Sequence, residues 1–311
     1  MRCTMNICIF GGTGLIGSML AIVLSKNHTV RIITRDIEKH KTRFPAHIIL
    51  SEWKGEDATL ATQIEGCDAI VNLVGENISG GHWSAQRKQA LYTSRIHTGK
   101  QLVQAIRSLK QYPRVFIQAS GIGYYPTIAN IEGVQPCTEA HEPGIGTFLT
   151  YLAQHWEDST KAVESLGVRR CIIRTSPVLA RHGGILPVLS KPFLFYMGGY
   201  PRPGTQPFPF IHLEDEVRAI VHLIENESSS GPYNLIAPEA ITTKDFCKTL
   251  ARCLHKPCYF PLPQWSMRLL FGEMAEELII QGVFATPHKL LEEGFLFTYP
   301  SASQALSDIL K

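Results

Sequence analysis

The sequence predicts an α/β fold in which a doubly wound, mostly parallel sheet of about seven strands is followed by a smaller carboxy-terminal lobe. Three observations support this prediction. Short β-branched runs alternate with amphipathic stretches, which is the order of βαβ units. A glycine-rich segment directly follows the first apolar run. After Pro177 the composition changes, because prolines and glycines become frequent.

The individual elements follow from apolar periodicity and from turn residues. Strands are predicted at residues 6–10, 29–34, 47–51, 69–74, 114–119 and 170–175. Helices are predicted at residues 15–25, 85–109, 147–166, 213–226, 243–255 and 264–271. The apolar segment 185–200 contains Pro187 and Pro192, so it is predicted to be a loop and not a membrane-spanning helix.

The domain boundary is expected near the change in composition. Residues 1–178 are predicted to form the first domain and residues 179–311 the second lobe. A strand near residues 233–235 could return to the first sheet, so the boundary is soft.

Composition narrows the class of partner. The chain has 311 residues, 44% of them hydrophobic, and a net charge of +3 with its basic residues spread along the sequence. This distribution gives no electrostatic footprint for nucleic acid or a membrane surface, so a small molecule is the expected partner. The composition does not indicate an oligomeric state.

The eight cysteines are scattered without C-x-x-C spacing. They are interpreted as buried free thiols of a reducing compartment, the cytoplasm. Cys253, His255 and Cys258 are neighbours but supply too few ligands for a closed metal site, so no metal is predicted.

The glycine-rich segment has the pattern Gly11-x-x-Gly14-x-x-Gly17 between a predicted strand and a predicted helix. At such a junction the three glycines allow a tight turn, close approach of a pyrophosphate and close packing of helix on strand. The free N–H groups and the positive helix end then bind the phosphates of a dinucleotide. The contacts predicted in this loop are Gly11, Thr13, Gly14, Leu15, Ile16 and Gly17.

The end of the second strand indicates which dinucleotide is bound. The acidic residue that accepts the ribose 2′-hydroxyl of NAD at this tip is replaced by Thr34, and Arg35 follows. A guanidinium is suited to a 2′-phosphate, so NADP(H) is the expected cofactor. In the alternative interpretation Arg35 is a solvated surface residue and Asp36 binds the ribose.

Further motifs carry a family resemblance over nearly the whole chain. With the glycine loop, the chain resembles the extended short-chain dehydrogenase/reductases, and more closely their atypical branch, the sugar-nucleotide-epimerase-like family with its carboxy-terminal domain. The matching motifs lie at residues 72–77 (NLVGEN), 120–125 (SGIGYY), 156–157 (WE), 174–179 (RTSPVL), 210–213 (FIHL), 231–234 (GPYN) and 290–295 (LLEEGF).

The resemblance implies a Rossmann-type domain, an NADP(H) site and a substrate lobe. By position, the adenosine side is implied for Leu73, Val74, Gly75 and Glu76, the centre for Arg95 and Ser120, and the nicotinamide end for Ser176, Pro177 and Val178. Two of these residues have structural alternatives, because Glu76 could be a carboxylate near a helix N-terminus and Arg95 a charge on a helix face.

The usual catalytic pair of the wider superfamily is missing. Its members use a tyrosine with a lysine four residues later, but no tyrosine here has lysine at that spacing. Counting back from Glu157, Leu149 occupies the tyrosine position and Ala153 the lysine position. Tyr151 and His155 have the helical spacing but are displaced in register, so they are interpreted as a structural pair.

Ser120 is the remaining candidate for a catalytic residue, because a hydroxyl at its position can donate to a developing oxyanion. In the alternative it is a strand-end hydroxyl that bonds local backbone. Tyr124 and Tyr125 could reach the same cleft or serve only packing, and His212 could be a core or capping residue.

Two functions therefore remain open. The first is an oxidoreductase or epimerase acting on a small polar carbonyl compound, nucleotide-linked or not. The second is an NADP(H)-binding protein without turnover, structural or redox-sensing.

Overall fold

The computed structural model describes residues 4–55 and 57–311. Its strands are β1 (Asn6–Phe10), β2 (Thr29–Thr34), β3 (Ile49–Glu52), β4 (Ala69–Asn72), β5 (Val115–Gly121), β6 (Thr127–Ile128), β7 (Arg169–Thr175), β8 (Val178–Leu179), β9 (Gly199–Pro201), β10 (Ile211–His212), β11 (Gly231–Leu235), β12 (Phe260–Leu262) and β13 (Gly282–Val283).

The helices connect these strands and cover the sheet. They are α1 (Leu15–Leu24), α2 (Asp57–Ile64), α3 (Ala85–Arg107), α4 (Phe148–Asp158), α5 (Leu186–Leu194), α6 (Leu213–Glu225), α7 (Thr243–Cys253), α8 (Gln264–Phe271), α9 (Glu273–Ala275), α10 (His288–Glu292) and α11 (Ala302–Ile309). None of the described helices is both long and apolar enough to cross a membrane.

Seven strands form one parallel sheet in the order β11-β7-β5-β4-β1-β2-β3. The predicted doubly wound α/β fold is therefore confirmed. Along β1, Ile7 and Ile9 face one core cluster, and Cys8 and Phe10 face the other. A central strand buried on both faces is expected when helices cover both sides of a parallel sheet.

Three two-stranded sheets lie outside the main sheet, pairing β10 with β8, β12 with β9 and β13 with β6. A third core cluster, which includes Phe210, Phe246, Leu250 and Leu306, joins α7 and α11. In the main sheet the carboxyl ends of β1, β4, β5 and β7 meet at one edge, where ligands bind in open α/β sheets.

Two predicted elements were wrong. The helix predicted at residues 147–166 ends at Asp158 and is followed by a 3₁₀ segment, Lys161–Leu166. The hydroxyl of Ser159 donates to the carbonyl of Trp156 at 2.7 Å, a local bond typical of a helix end. The segment predicted as a loop, 185–200, contains α5, because Pro187 lies in the first turn, where a missing N–H costs little.

Candidate functional site

The glycine loop joins β1 to α1 at the carboxyl edge of the sheet. Gly11 has a φ of +76°, and a Cβ there would lie 2.7 Å from the carbonyl oxygen of Leu73 on the neighbouring strand connection. A Cβ on Gly17 would lie 2.4 Å from the carbonyl oxygen of Gly11. Only glycine fits both positions, since one needs a left-handed backbone and the other leaves no room for a side chain.

The start of α1 has free hydrogen-bond donors. Gly14 is the N-cap residue and is exposed, and no side chain in the described part of the chain caps the helix. The first-turn N–H groups of Leu15 and Ile16 therefore remain available, as an anion site at a helix N-terminus requires. Gly183, in the loop after β8, packs close to Leu15, which brings the second lobe against this end of the helix.

The tip of β2 places Thr34, Arg35 and Asp36 beside the glycine loop. Thr34 is buried, and its hydroxyl oxygen lies 3.3 Å from the backbone nitrogen of Asp36. The carboxylate of Asp36 accepts a hydrogen bond from the backbone N–H of Lys39 at 3.0 Å. Arg35 is exposed and forms no hydrogen bond or ion pair with any described residue.

A second arginine, which sequence reasoning missed, contacts the same loop. Nη1 of Arg43 donates to the carbonyl oxygen of Thr13 at 2.7 Å, and its Nη2 donates to the hydroxyl of Ser18 at 3.1 Å. Arg43 is 30 residues from Thr13 in sequence. No local motif marks it, since the contact depends on how the chain turns back between β2 and β3.

The segment after β4 lies directly against the glycine loop. Leu73 donates its backbone N–H to the carbonyl of Phe10 at 2.9 Å, which extends the β1–β4 pairing by one residue. Glu76 pairs with Arg87 in the first turn of α3, with 3.2 Å between Oε2 and Nη1. Leu73 and Val74 are half-buried and Gly75 is exposed, so this segment has surface at the carboxyl edge of the sheet.

Arg95 is a buried cation on the inner face of α3. Its Nη1 donates to the carbonyl of Leu91 at 3.1 Å and its Nη2 to the carbonyl of Glu76 at 2.8 Å, while its guanidinium carbon lies 4.7 Å from the ring centre of Trp156. Burial lowers the pKa of Arg95 to about 10. A Cβ on Gly75 would lie 2.9 Å from the guanidinium carbon, so a larger residue at position 75 would displace the Arg95 side chain.

Ser120 belongs to a buried polar network at the end of β5. Its hydroxyl donates to Oε1 of Glu157 at 2.7 Å. The same carboxylate accepts two hydrogen bonds from Arg174, one from Nε to Oε1 at 2.9 Å and one from Nη2 to Oε2 at 3.0 Å. The proton of Ser120 is thereby directed to Glu157, so in this arrangement the hydroxyl can accept a hydrogen bond from a ligand but cannot donate one to an oxyanion.

The two tyrosines after β5 have different environments. The hydroxyl of Tyr125 is buried and donates to Oδ1 of Asn234 at 2.8 Å while it accepts from Arg174 at 2.8 Å. Burial raises the pKa of Tyr125 to about 12. Tyr124 is half-buried, and the guanidinium carbon of Arg174 lies 3.5 Å from its ring centre. Burial also raises the pKa of Tyr124, so its phenol stays protonated near neutral pH.

Buried apolar side chains occupy the positions of the usual tyrosine and lysine. Leu149 and Ala153 are both buried on α4, and a Cβ on Gly123 would lie 2.9 Å from the Cβ of Leu149. Tyr151 and His155 stack on each other with ring centres 4.0 Å apart, and Tyr151 is exposed. They lie on another face of α4 from the two filled positions, which agrees with a structural pair.

The residues after β7 complete the edge. Ser176 is buried and donates its backbone N–H to the carbonyl of Leu235 at 3.0 Å, Pro177 is half-buried and Val178 is buried. Beside them, Glu216 of α6 is fully buried and accepts a hydrogen bond from the hydroxyl of Thr175 at 2.8 Å. Burial raises the pKa of Glu216 to about 8.

His212 caps α6 instead of entering the cleft. Its Nδ1 accepts a hydrogen bond from the backbone N–H of Glu214 at 3.1 Å. Burial lowers the pKa of His212, so the ring is neutral at neutral pH and can accept that bond.

Unpaired polar atoms along this edge fit a dinucleotide. Nε of Arg95 and Oγ of Ser176 are buried and have no hydrogen-bond partner among the described residues. Buried polar groups are nearly always paired in folded proteins, so these two atoms are suited to ligand groups. Together with the free donors of α1 and the unpaired Arg35, they form a site compatible with phosphate, ribose and nicotinamide groups.

Comparison with known proteins agrees with this geometry. A family model described as the NAD dependent epimerase/dehydratase family matches residues 7–235, and one described as a domain of unknown function, DUF1731, matches residues 262–309. An epimerase family protein of Bacillus subtilis (strain 168) is 33% identical over 307 residues, which cover 98% of this chain and 98% of that protein. One of Staphylococcus aureus (strain N315) is 33% identical over 306 residues, or 97% of this chain and 98% of that protein.

Solved structures show the same similarity. The human epimerase family protein SDR39U1 (isoform 2), crystallised with NADPH, superposes with a TM-score of 0.86 at 27% identity, covering 98% of this chain and 99% of that chain. The UDP-glucuronic acid 4-epimerase from Bacillus cereus, crystallised with NAD, superposes with a TM-score of 0.78 at 18% identity, and the match covers 98% of each chain. At this identity the match supports the shared fold only. The chain belongs to the NAD-dependent epimerase/dehydratase family, as an atypical short-chain dehydrogenase/reductase with a DUF1731 carboxy-terminal segment.

Proposed function

We propose that this protein is an NADP(H)-dependent oxidoreductase or epimerase that acts on a small polar carbonyl compound, nucleotide-linked or not. The observation that carries the proposal is the pairing of an open phosphate-binding loop at Gly11–Gly17 with an unpaired Arg35 at the tip of β2. The NADPH complex of the human relative supports the same cofactor.

The choice of NADP(H) over NAD(H) rests on charge at the β2 tip. An enzyme that binds NAD places a carboxylate on the ribose 2′-hydroxyl, but here the carboxylate of Asp36 receives the N–H of Lys39. Arg35 has no internal partner among the described residues and is free to pair with a phosphate.

We assign the remaining cofactor contacts by their place along the edge. We assign Leu73, Val74, Gly75 and Glu76 to the adenosine side, because this segment lies against the glycine loop. We assign Arg95 and Ser120 to the centre, and Ser176, Pro177 and Val178 to the nicotinamide end. The second lobe, residues 179–311, holds the substrate.

A bound NADPH supplies hydride to a carbonyl carbon, and the protein must then provide a proton to the carbonyl oxygen. Ser120 cannot provide it, because its proton is directed to Glu157. Tyr124 is the better donor, because its phenol is protonated and the neighbouring Arg174 stabilises the phenolate that forms. Ser120 positions the substrate by accepting a hydrogen bond from one of its hydroxyl groups.

A second function, cofactor binding without turnover, is favoured by the apolar residues at the usual catalytic positions. Leu149 and Ala153 stand where the wider superfamily has tyrosine and lysine, and both are buried. A protein with this site could bind NADP(H) and respond to its redox state by a change in conformation, without turnover.

One experiment separates the two functions. Purified protein with bound NADPH is mixed with a panel of carbonyl compounds and nucleotide sugars, and NADPH oxidation is followed by absorbance in single-turnover mode. The oxidoreductase proposal predicts oxidation with at least one compound class, and epimerisation is read from the products. Tyr124→Phe should slow the step at least about tenfold, as expected for loss of a general acid. Tyr112→Phe, a change at an exposed tyrosine away from the site, should not.

Tight NADPH binding without oxidation or epimerisation by any class would reject the enzyme and support the second function. Turnover that Tyr124→Phe leaves unchanged would keep the enzyme and reject the proton donor.

A further inference from the structure

We propose that Arg43 is a second phosphate-binding residue of the cofactor site, and that Arg35 and Arg43 together hold the adenosine 2′-phosphate of NADP(H). This inference rests on the proposed NADP(H) specificity and names a residue that sets it.

Arg43 lies on the glycine loop itself. Its two terminal nitrogens donate to the carbonyl of Thr13 at 2.7 Å and to the hydroxyl of Ser18 at 3.1 Å, so the guanidinium bridges the loop and the first turns of α1. Both partners are uncharged, so they orient the guanidinium and do not neutralise it.

The chain between β2 and β3 holds Arg43 in this position. The N–H of His40 donates to the carbonyl of Ile37 at 2.9 Å, and the N–H of Arg43 donates to the carbonyl of His40 at 3.0 Å. Phe44, the next residue, is buried in the core cluster that also contains Ile32 of β2. A side chain anchored at its own turn and at the following residue loses less entropy on binding a ligand.

The charge of Arg43 is available. No carboxylate of the described residues forms an ion pair with Arg43, whereas Lys41 in the same segment pairs with Glu38. A guanidinium has five N–H donors, and the two contacts of Arg43 leave the others for a further acceptor. Arg35 is likewise without an ion pair among the described residues, so neither guanidinium is neutralised by a carboxylate there.

The location favours the 2′-phosphate over the pyrophosphate. The pyrophosphate belongs on the N–H groups at the start of α1, after Gly14. Arg43 contacts the loop at Thr13 and α1 at Ser18, and it belongs to the same connection between β2 and β3 as Arg35. In a Rossmann-type site, the group between the glycine loop and the tip of β2 is the adenosine ribose with its 2′-substituent.

The test compares two ligands with the same number of phosphates in different places. Adenosine 2′,5′-bisphosphate carries the 2′-phosphate of NADP(H), and ADP carries only the pyrophosphate. Their dissociation constants are measured by calorimetry for the wild-type protein, Arg43→Gln and Lys39→Gln. Lys39 is exposed in the same segment, so Lys39→Gln removes an equal charge as the matched control.

Arg43→Gln should raise the dissociation constant of adenosine 2′,5′-bisphosphate by about tenfold to about a hundredfold, which is the effect of one lost charge-assisted hydrogen bond. It should raise that of ADP by less than about twofold. Lys39→Gln should weaken the binding of either ligand by less than about threefold, since the Lys39 side chain makes no hydrogen bond to the glycine loop among the described residues and its charge is screened by solvent.

Three results would overturn the inference. No loss in Arg43→Gln would make Arg43 a surface residue. An equal loss for both ligands would assign Arg43 to the pyrophosphate or to loop structure. A wild-type protein that does not prefer the bisphosphate would reject the NADP(H) specificity itself, and this result is distinct because it appears before any substitution is made.

Discussion

Glu157 joins Ser120 to Arg174 in the buried polar network at the end of β5. Its buried carboxylate accepts a hydrogen bond from the hydroxyl of Ser120 and two from the guanidinium of Arg174. The hydrogen bonds to Glu157 offset the burial that alone would lower the pKa of Arg174, and they raise that pKa. Arg174 therefore stays charged, and the bond to Glu157 holds the hydroxyl of Ser120 in a fixed orientation.

Glu157→Gln should destabilise the fold by about 3 to 5 kcal/mol, because it leaves the guanidinium of Arg174 buried without a counter-charge. Urea denaturation checks this value. The control is Glu38→Gln, which removes the partner of Lys41 in an ion pair whose two side chains are both exposed, and it should cost under about 1 kcal/mol. If the two variants lose equal stability, the buried pair does not have the role described.

Glu216 makes stability depend on pH. Burial raises its pKa from 4.5 to about 8, so between these values the folded protein keeps a proton that the unfolded chain releases. The unfolded state binds fewer protons there, and the stabilisation from protonated Glu216 is lost as pH rises through this window.

Glu216→Gln, which retains the neutral shape, should therefore gain stability over wild type by about 1 kcal/mol per pH unit from about pH 5 to about pH 8. Thermal unfolding across this range measures the difference between the two proteins. Glu227→Gln, at an exposed position after α6, is the control and should show no such slope. A constant difference between wild type and Glu216→Gln at all pH values would contradict the assignment.

At the residue scale, the glycine loop could be predicted because its function depends on neighbours in sequence. Gly11 and Gly17 meet steric limits within one turn of the chain. Arg43 and the bond between Ser120 and Glu157 could not be predicted, since each joins residues 30 or more positions apart whose approach depends on the fold.

At the element scale, α4 is fixed by a residue from the carboxy-terminal segment. The carboxylate of Glu277, in the π-helical segment Glu276–Ile280, accepts the backbone N–H groups of Phe148 and Leu149, both at 2.9 Å. The side chain of Thr147 caps the N–H of Thr150 at 3.1 Å. The helix that carries Leu149 and Glu157 is thus positioned by the second lobe.

Glu277→Ala should destabilise the protein by about 1 to 2 kcal/mol, through loss of two capping bonds and of a favourable charge at the helix N-terminus. Glu276→Ala is the matched control. Among the described residues the carboxylate of Glu276 forms an ion pair only with the exposed Arg268, so this substitution should cost under about 1 kcal/mol. Chemical denaturation of both variants gives the comparison. A loss confined to Glu276→Ala would refute the capping role.

The helix boundaries show how far apolar periodicity predicts the elements. Helix α8 was predicted at its observed bounds, whereas the break after α4 and the helix α5 were missed. Apolar periodicity continues through both misassigned segments. The end of α4 depends on local hydrogen bonds, and the formation of α5 depends on where Pro187 lies within the first helical turn. Apolar periodicity contains neither kind of information.

At the scale of the whole molecule, the carboxy-terminal segment is joined to the sheet through Glu293. Its carboxylate accepts hydrogen bonds from the hydroxyl groups of Tyr233 at 2.5 Å and Ser229 at 2.8 Å, and lies 2.9 Å from Nε2 of His222. These hydrogen bonds lower the pKa of Glu293 despite its partial burial. The second lobe is therefore attached to the sheet by a charged contact as well as by its apolar core.

The parallel sheet and the family could be predicted because they depend on patterns repeated along the chain, whereas the order of the strands comes from the structure. The attachment of the second lobe could not, since Glu293 and Tyr233 are 60 residues apart and their pairing requires the finished sheet. The substrate likewise depends on surfaces that only the assembled lobes create.

Our proposal that Arg35 at the carboxyl edge of the sheet binds the 2′-phosphate of NADP(H) can be decided by the dissociation constants of NADPH and NADH for wild type and Arg35→Ala. We expect wild type to prefer NADPH by at least about tenfold, and Arg35→Ala to lose most of that preference because it binds NADPH alone more weakly. Equal affinities of wild type for the two cofactors, or an unchanged preference in Arg35→Ala, would contradict it.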